Sequence, residues 1–140
     1  MKTSARNQFQ ATVRAVHDGA VNSEVILDLQ AGGKLVAIVT KESARALGLS
    51  PGQRVLALVK ASWPILVVGP LPKTSARNHL AGTVKSVVTG AVETEVVVQV
   101  AGGPELVVMI TKGSEKDLAL KVGDAVGVLI KASHVILAVD

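Results

Sequence analysis

The chain has 140 residues, a net charge of +4 and no cysteine, which excludes disulfides, thiolate metal sites and a cysteine nucleophile. Hydrophobic residues make up 49% of it, nearly all Val, Ile, Leu and Ala, and this exceeds what a small monomeric module can hide. No apolar run is long enough to span a membrane and Met1 to Arg6 lack a signal-peptide core, so a soluble cytoplasmic protein is expected.

The opening stretch, Lys2-Thr3-Ser4-Ala5-Arg6-Asn7, recurs unchanged as Lys73-Thr74-Ser75-Ala76-Arg77-Asn78. Superposing the two copies fixes an offset of about 71 residues, and the alignment reaches both ends without a gap. About 30 of some 69 aligned pairs are identical, so the chain is a duplicated unit. The expected division is a first domain at 1–69, a linker at 70–72 and a second domain at 73–140. Gly69-Pro70-Leu71-Pro72 marks the break as short and stiff. A module of about 70 residues is marginal alone, so packing between modules or between chains is expected.

Within each repeat the pattern is mostly of period two. Phe9, Ala11, Val13 and Ala15 alternate with Gln8, Gln10, Thr12 and Arg14, as in a half-buried strand. Gly19-Ala20 signals a turn. Ser23, Val25, Leu27 and Leu29 form a second alternating strand, and Ala31-Gly32-Gly33 closes a hairpin. Leu35–Val39, Arg54–Val59 and Ile65–Val68 are apolar on both faces and read as strands buried on both sides. Their copies are Leu106–Ile110, Val126–Ile130 and Val135–Val139. One segment departs from this period. Thr40 to Gly48 reads as a short helix, capped by Thr40 and stopped by Gly48, and Thr111 to Leu120 is its copy. The expected fold is all-β: two tandem OB-like five-stranded Greek-key barrels, each with one short helix.

Three polar clusters recur in both copies. They are Ser4-Ala5-Arg6-Asn7 before the first strand, Thr40 and Ser43 at the helix start, and Lys60-Ala61-Ser62 between the last two strands. The second repeat has Ser75-Ala76-Arg77-Asn78, Thr111 with Ser114, and Lys131-Ala132-Ser133. Arg and Lys only donate hydrogen bonds, and Ser and Thr can donate. Such a set suits an anion of about two negative charges. Taken singly, Thr40 reads as a helix cap, Arg6 and Lys60 as solvated charges, and Ser4 and Asn7 as residues shaping the start of a strand. Their joint retention, while neighbours drift, favours a shared role. The histidines are not duplicated: His17, His79 and His134 align with Val88, Gln8 and Trp63, which points to surface or packing roles. No His, Asp or Glu spacing suggests a bare metal cation, and no base stands beside a Ser or Thr nucleophile, so no enzyme activity is expected.

In this order and twice over, SARN, TKxS and KAS resemble the Mop domain of molybdate-binding proteins, and the whole chain resembles a di-Mop molbindin. The resemblance implies molybdate or tungstate as the bound ligand. It assigns oxyanion binding to Ser4, Arg6, Thr40, Ser43, Lys60 and the Ala61 backbone, and to their copies Ser75, Arg77, Thr111, Ser114, Lys131 and Ala132. It also implies that one domain supplies the SARN residues and its partner the other two clusters. A second type of anion site is implied at Gly19, Ala20, Val21 and Asn22. In the second repeat Glu93 replaces Asn22, and a carboxylate there would repel an anion.

The resulting expectation is intracellular storage or buffering of molybdate by free-standing domains, since no helix-turn-helix or ATPase loop is present. A homo-oligomer is expected, a trimer in particular. The alternative is an OB-type nucleic-acid-binding module. Against it, residues 1–69 carry eight Lys/Arg to four acids while 70–140 carry seven to seven, so the repeats share no basic face. One Phe, one Trp and no Tyr leave almost nothing for bases to stack on.

Overall fold

The computed structural model describes every residue from Met1 to Asp140. The first repeat supplies β1 (Asn7–Asp18), β2 (Asn22–Leu29), β3 (Lys34–Thr40), α1 (Lys41–Ala46), β4 (Arg54–Val59) and β5 (Ile65–Val67). The second supplies β6 (Asn78–Thr89), β7 (Glu93–Val100), β8 (Glu105–Thr111), α2 (Lys112–Leu118), β9 (Ala125–Ile130) and β10 (Ile136–Ala138), with a 3-10 turn at Ala132–His134. The strand alternation read from the sequence is the burial pattern: Asn7, Phe9, Ala11 and Val13 face inward, and Gln8, Gln10, Thr12 and Arg14 face out.

A bulge between Val13 and Ala15 interrupts β1, and its copy lies between Val84 and Ser86 of β6. An extra residue there bends a long strand and increases its twist. The early half of β1 therefore pairs with β4 and the later half mainly with β2.

The strand orders are β10-β4-β1-β2-β3 and β5-β9-β6-β7-β8. Within the first, β4-β1-β2-β3 is the Greek-key order. Each sheet curls, and because its outermost strands do not pair it stays a half-barrel and does not close. The fifth strand of each sheet comes from the other repeat. Ile136 of β10 lies opposite Leu58 of β4, and Ile65 of β5 lies opposite Leu129 of β9. The boundary between repeats and the boundary between sheets thus do not coincide. A single buried cluster holds Leu27 and Leu35 of one sheet with Leu106 and Ile130 of the other, so the halves share one core.

The expected burial of the later strands on both faces is met unevenly. β9 is buried from Val126 to Ile130, and β3 from Leu35 to Ala37. β5 and β10 are not buried on both faces, since Ile65 and Ile136 at their starts are exposed, and β4 alternates, with Leu56 and Leu58 half-buried. Between β9 and β4 the linker makes the difference. Leu71 lies over Gly127 so closely that a Cβ on Gly127 would sit 2.5 Å from its Cδ2. No linker crosses β4. The two hairpin tips also meet: a Cβ on Gly32, whose φ is +106°, would lie 2.2 Å from the Gly102 carbonyl oxygen. Gly32-Gly33 is a hairpin tip, as its spacing indicated.

Candidate oxyanion site

The SARN stretch is fixed locally before it meets anything else. The Ala5 N–H donates to Thr3 Oγ1 at 3.1 Å, and Ala76 repeats the bond to Thr74 at 3.1 Å. Asn7 opens β1 opposite Val59, the last residue of β4, which leaves Lys60 beside this stretch. Ser4 and Lys60 share a recess of about 220 Å³ with Leu58, Trp63 and Ile136. Ser4, Arg6 and Lys60 are exposed and Ala61 is buried.

The TKxS cluster lies elsewhere. Thr40 Oγ1 accepts the Ser43 N–H at 3.0 Å and its hydroxyl donates to Ser43 Oγ at 2.8 Å, and Thr111 with Ser114 repeats both bonds. Thr40 caps its helix as the sequence suggested. Thr40 pairs with Asn22, at the opposite end of the sheet from Asn7 and Val59. The Lys41 N–H donates to the Val21 carbonyl at 2.8 Å, which ties the helix start to the Gly19–Asn22 turn. Within one repeat, therefore, Ser4, Arg6, Lys60 and Ala61 gather at one end, and Thr40 and Ser43 stand at the other.

Contacts between repeats change this grouping. The Asn7 side chain bonds both the N–H and the carbonyl of Val107 on β8, each at 2.8 Å. Two residues on, the Met109 N–H donates to the Ala61 carbonyl at 2.8 Å. Thr111 follows about 7 Å further along the strand. β8 thus runs from the SARN and KAS clusters of repeat one toward the TKxS cluster of repeat two. In the mirrored arrangement Asn78 bonds Val36 of β3 at 2.7 and 2.8 Å. KAS stays with the SARN of its own repeat because β4 is hydrogen-bonded to β1.

The structure adds a carboxylate that the three clusters lacked in the sequence. Arg6 Nη1 donates to Glu95 Oε2 at 2.9 Å, and Arg77 Nη1 to Glu24 Oε2 at 2.9 Å. Both pairs cross between repeats. The available signal was the retention of Glu24 as Glu95 in the second copy. Trp63 and His134, which occupy equivalent positions, also meet across the repeats with ring centroids 5.2 Å apart. His134 has a packing role there, and its Nδ1 is buried without a partner.

The Gly19–Asn22 turn is closed by the Gly19 N–H donating to the Asn22 carbonyl at 2.7 Å, and its copy by Gly90 and Glu93 at 2.8 Å. Val21 and Val92 are exposed at the two tips. The supports behind the turns differ. Ser23 donates to Asp18 at 2.6 Å, whereas Thr89 and Thr94 both donate to Glu115 of α2, at 2.7 and 2.5 Å. No group of three or more His, Asp or Glu is placed to hold a metal ion.

The TOBE domain family matches the chain twice, over residues 3–66 and 74–137. The molybdenum-pterin-binding protein MopA of Rhodobacter capsulatus is 43% identical over 139 residues, covering 99% of this chain and 52% of that protein. The molybdenum transport protein ModE of Azotobacter vinelandii is 42% identical over 139 residues, with the same 99% and 52% coverage. The chain thus spans about half the length of the curated relatives it matches. Among solved structures, the cytoplasmic molybdate-binding protein ModG, with molybdate bound, superposes with a TM-score of 0.94 at 50% identity, covering 100% of both chains.

Proposed function

Because this chain belongs to the TOBE domain family, with one match in each repeat, we propose that it binds molybdate and tungstate and serves as a cytoplasmic store or buffer for them. The observation that carries this reading is the full-length likeness to a molybdate-bound structure at 50% identity. The donor chemistry supports it. Molybdate is a tetrahedral dianion without a proton at neutral pH, so it needs donors alone. Ser4, Arg6, Thr40, Ser43, Lys60, the Ala61 backbone and their copies offer donors, and Arg6 with Lys60 supplies two positive charges. Hydrogen phosphate brings an O–H that would face positive groups, at a cost of about 1–3 kcal/mol when buried. Sulfate is smaller and reaches fewer donors at once. The order of affinity is therefore molybdate and tungstate, then sulfate, then phosphate.

In this reading the two modules, 1–69 and 73–140, bind by the same chemistry and the protein works without catalysis. The Gly19, Ala20, Val21 and Asn22 turn is a second class of anion site in repeat one. Its copy is weakened by Glu93. Each oxyanion site draws SARN and KAS from one repeat and is completed by TKxS from elsewhere in a homotrimer. The deciding experiment is metal analysis of protein purified from molybdate-supplemented cells, followed by calorimetric titration of the stripped protein. Stoichiometric molybdenum and displacement by tungstate are expected. Molybdenum-free protein that also fails to titrate would end the proposal.

A further inference from the structure

Four ion pairs are present, and only two occupy equivalent positions in both repeats: Arg6 with Glu95, and Arg77 with Glu24. Arg14 pairs with Asp28, but its counterpart Lys85 turns to Glu105 instead. The recurrent pairs also match in detail, at 2.9 Å each, with arginine exposures of 54% and 55% and glutamate exposures of 29% and 26%. Exposed ion pairs of this kind add little to stability, so stability does not account for the recurrence.

Their position suggests another duty. Glu95 lies opposite Met109, and Met109 donates to the carbonyl of Ala61, a residue of the proposed site. The carboxylate thus presents to Arg6 Nη1 an anionic oxygen, as an oxyanion would. With the site empty, it balances the guanidinium charge. A dianion entering beside Lys60 must share Arg6 with that carboxylate or push it aside.

We propose that Glu95 and Glu24 are built-in competitors for the oxyanion: they weaken its binding enough to keep it releasable, and they reject monoanions. The proposal rests on the molybdate reading given above. Exchanging a carboxylate for a monoanion yields no net gain in charge at the arginine. Exchanging it for a dianion does, and so only the dianion pays back the displacement.

The test is calorimetric titration of wild type and of Glu24→Gln with Glu95→Gln, using molybdate and perrhenate, a tetrahedral oxyanion with a single charge. Glutamine keeps an oxygen that accepts from arginine and removes the charge. The variant is expected to bind molybdate about tenfold more tightly and to bind perrhenate that wild type ignores; a tenfold change corresponds to about 1.4 kcal/mol. Equal or weaker molybdate binding in a variant of unchanged melting temperature would overturn the proposal and show the glutamates to be positioning groups for arginine. If the double variant does not fold, either single variant should split the titration into a tight and an ordinary class. Unsplit titrations, or loss of folding in the single variants too, would also overturn it. Wild type that binds no molybdate sinks the functional reading first, which separates the two failures.

Discussion

The Asn7 side-chain amide and the Val107 backbone exchange two hydrogen bonds, each 2.8 Å long, across the two sheets. The amide imitates a strand peptide and satisfies the edge of β8, as Asn78 does for β3 at Val36. Both asparagines are buried. Replacing Asn7 by Ala leaves a backbone donor and acceptor without partners, at about 1–3 kcal/mol for each buried group left unsatisfied. Urea unfolding of Asn7→Ala should show a lower midpoint, and the pair with Asn78→Ala a lower one still. An unchanged midpoint would mean the clip is dispensable.

The exchanged strands predict how the chain behaves when cut. A fragment of residues 1–72 lacks β10, which leaves one edge of β4 open, and its β5 has no β9 to join. An unpaired edge is a template for another chain. The fragment should therefore associate by donating β5 to a second copy. Light scattering with size exclusion would show dimers or larger species; a folded monomer would refute the prediction.

Replacing Arg6 and Arg77 by Ala tests the oxyanion assignment. Loss of a charged partner to a bound anion should weaken molybdate binding by about 2–5 kcal/mol. Stability should change little, because both side chains are more than half exposed. Titration calorimetry and a thermal melt, run together, separate the two effects. Unchanged affinity would place the anion elsewhere.

Glu115 should make repeat two more acid-sensitive than repeat one. The Thr94 hydroxyl, then the Thr89 hydroxyl, and lastly the charge of Lys112 hold its carboxyl below its usual range, against a burial effect that raises it. A carboxyl whose pKa is lower folded than unfolded stabilises the fold above its unfolded value, and that stabilisation is lost as pH falls through the folded value. Glu115→Gln should therefore melt below wild type at pH 7, with the gap closing in acid. A gap that stays constant across the pH series would contradict this.

Assembly follows from the surfaces left uncovered. The outer face of β4 is half-covered, and Ile65 and Ile136 on the short edge strands are exposed. Burying these is worth about 25 cal/mol per Å² of apolar area. Sedimentation at micromolar concentration should find a trimer. A monomer that still binds molybdate would rule this out.

The sequence by itself determined the duplication, the strands, the buried faces of those with a period of two, the helix caps at Thr40 and Thr111, and the three donor clusters. These are local properties, since a period of two or a capping threonine is written within a few residues. Which partner a strand takes is not local. The edges of β4 and β9 present nearly the same pattern, so β5 could satisfy either by its own periodicity. The tertiary structure decides, because with β5 on β9 the linker crosses within one sheet and Leu71 seats on Gly127. The same holds for Arg6 and Glu95, which stand 89 residues apart in sequence. Only the crossing of the two repeats brings that carboxylate to that arginine, and turns Asn7 from a residue at the start of a strand into the clip between two sheets.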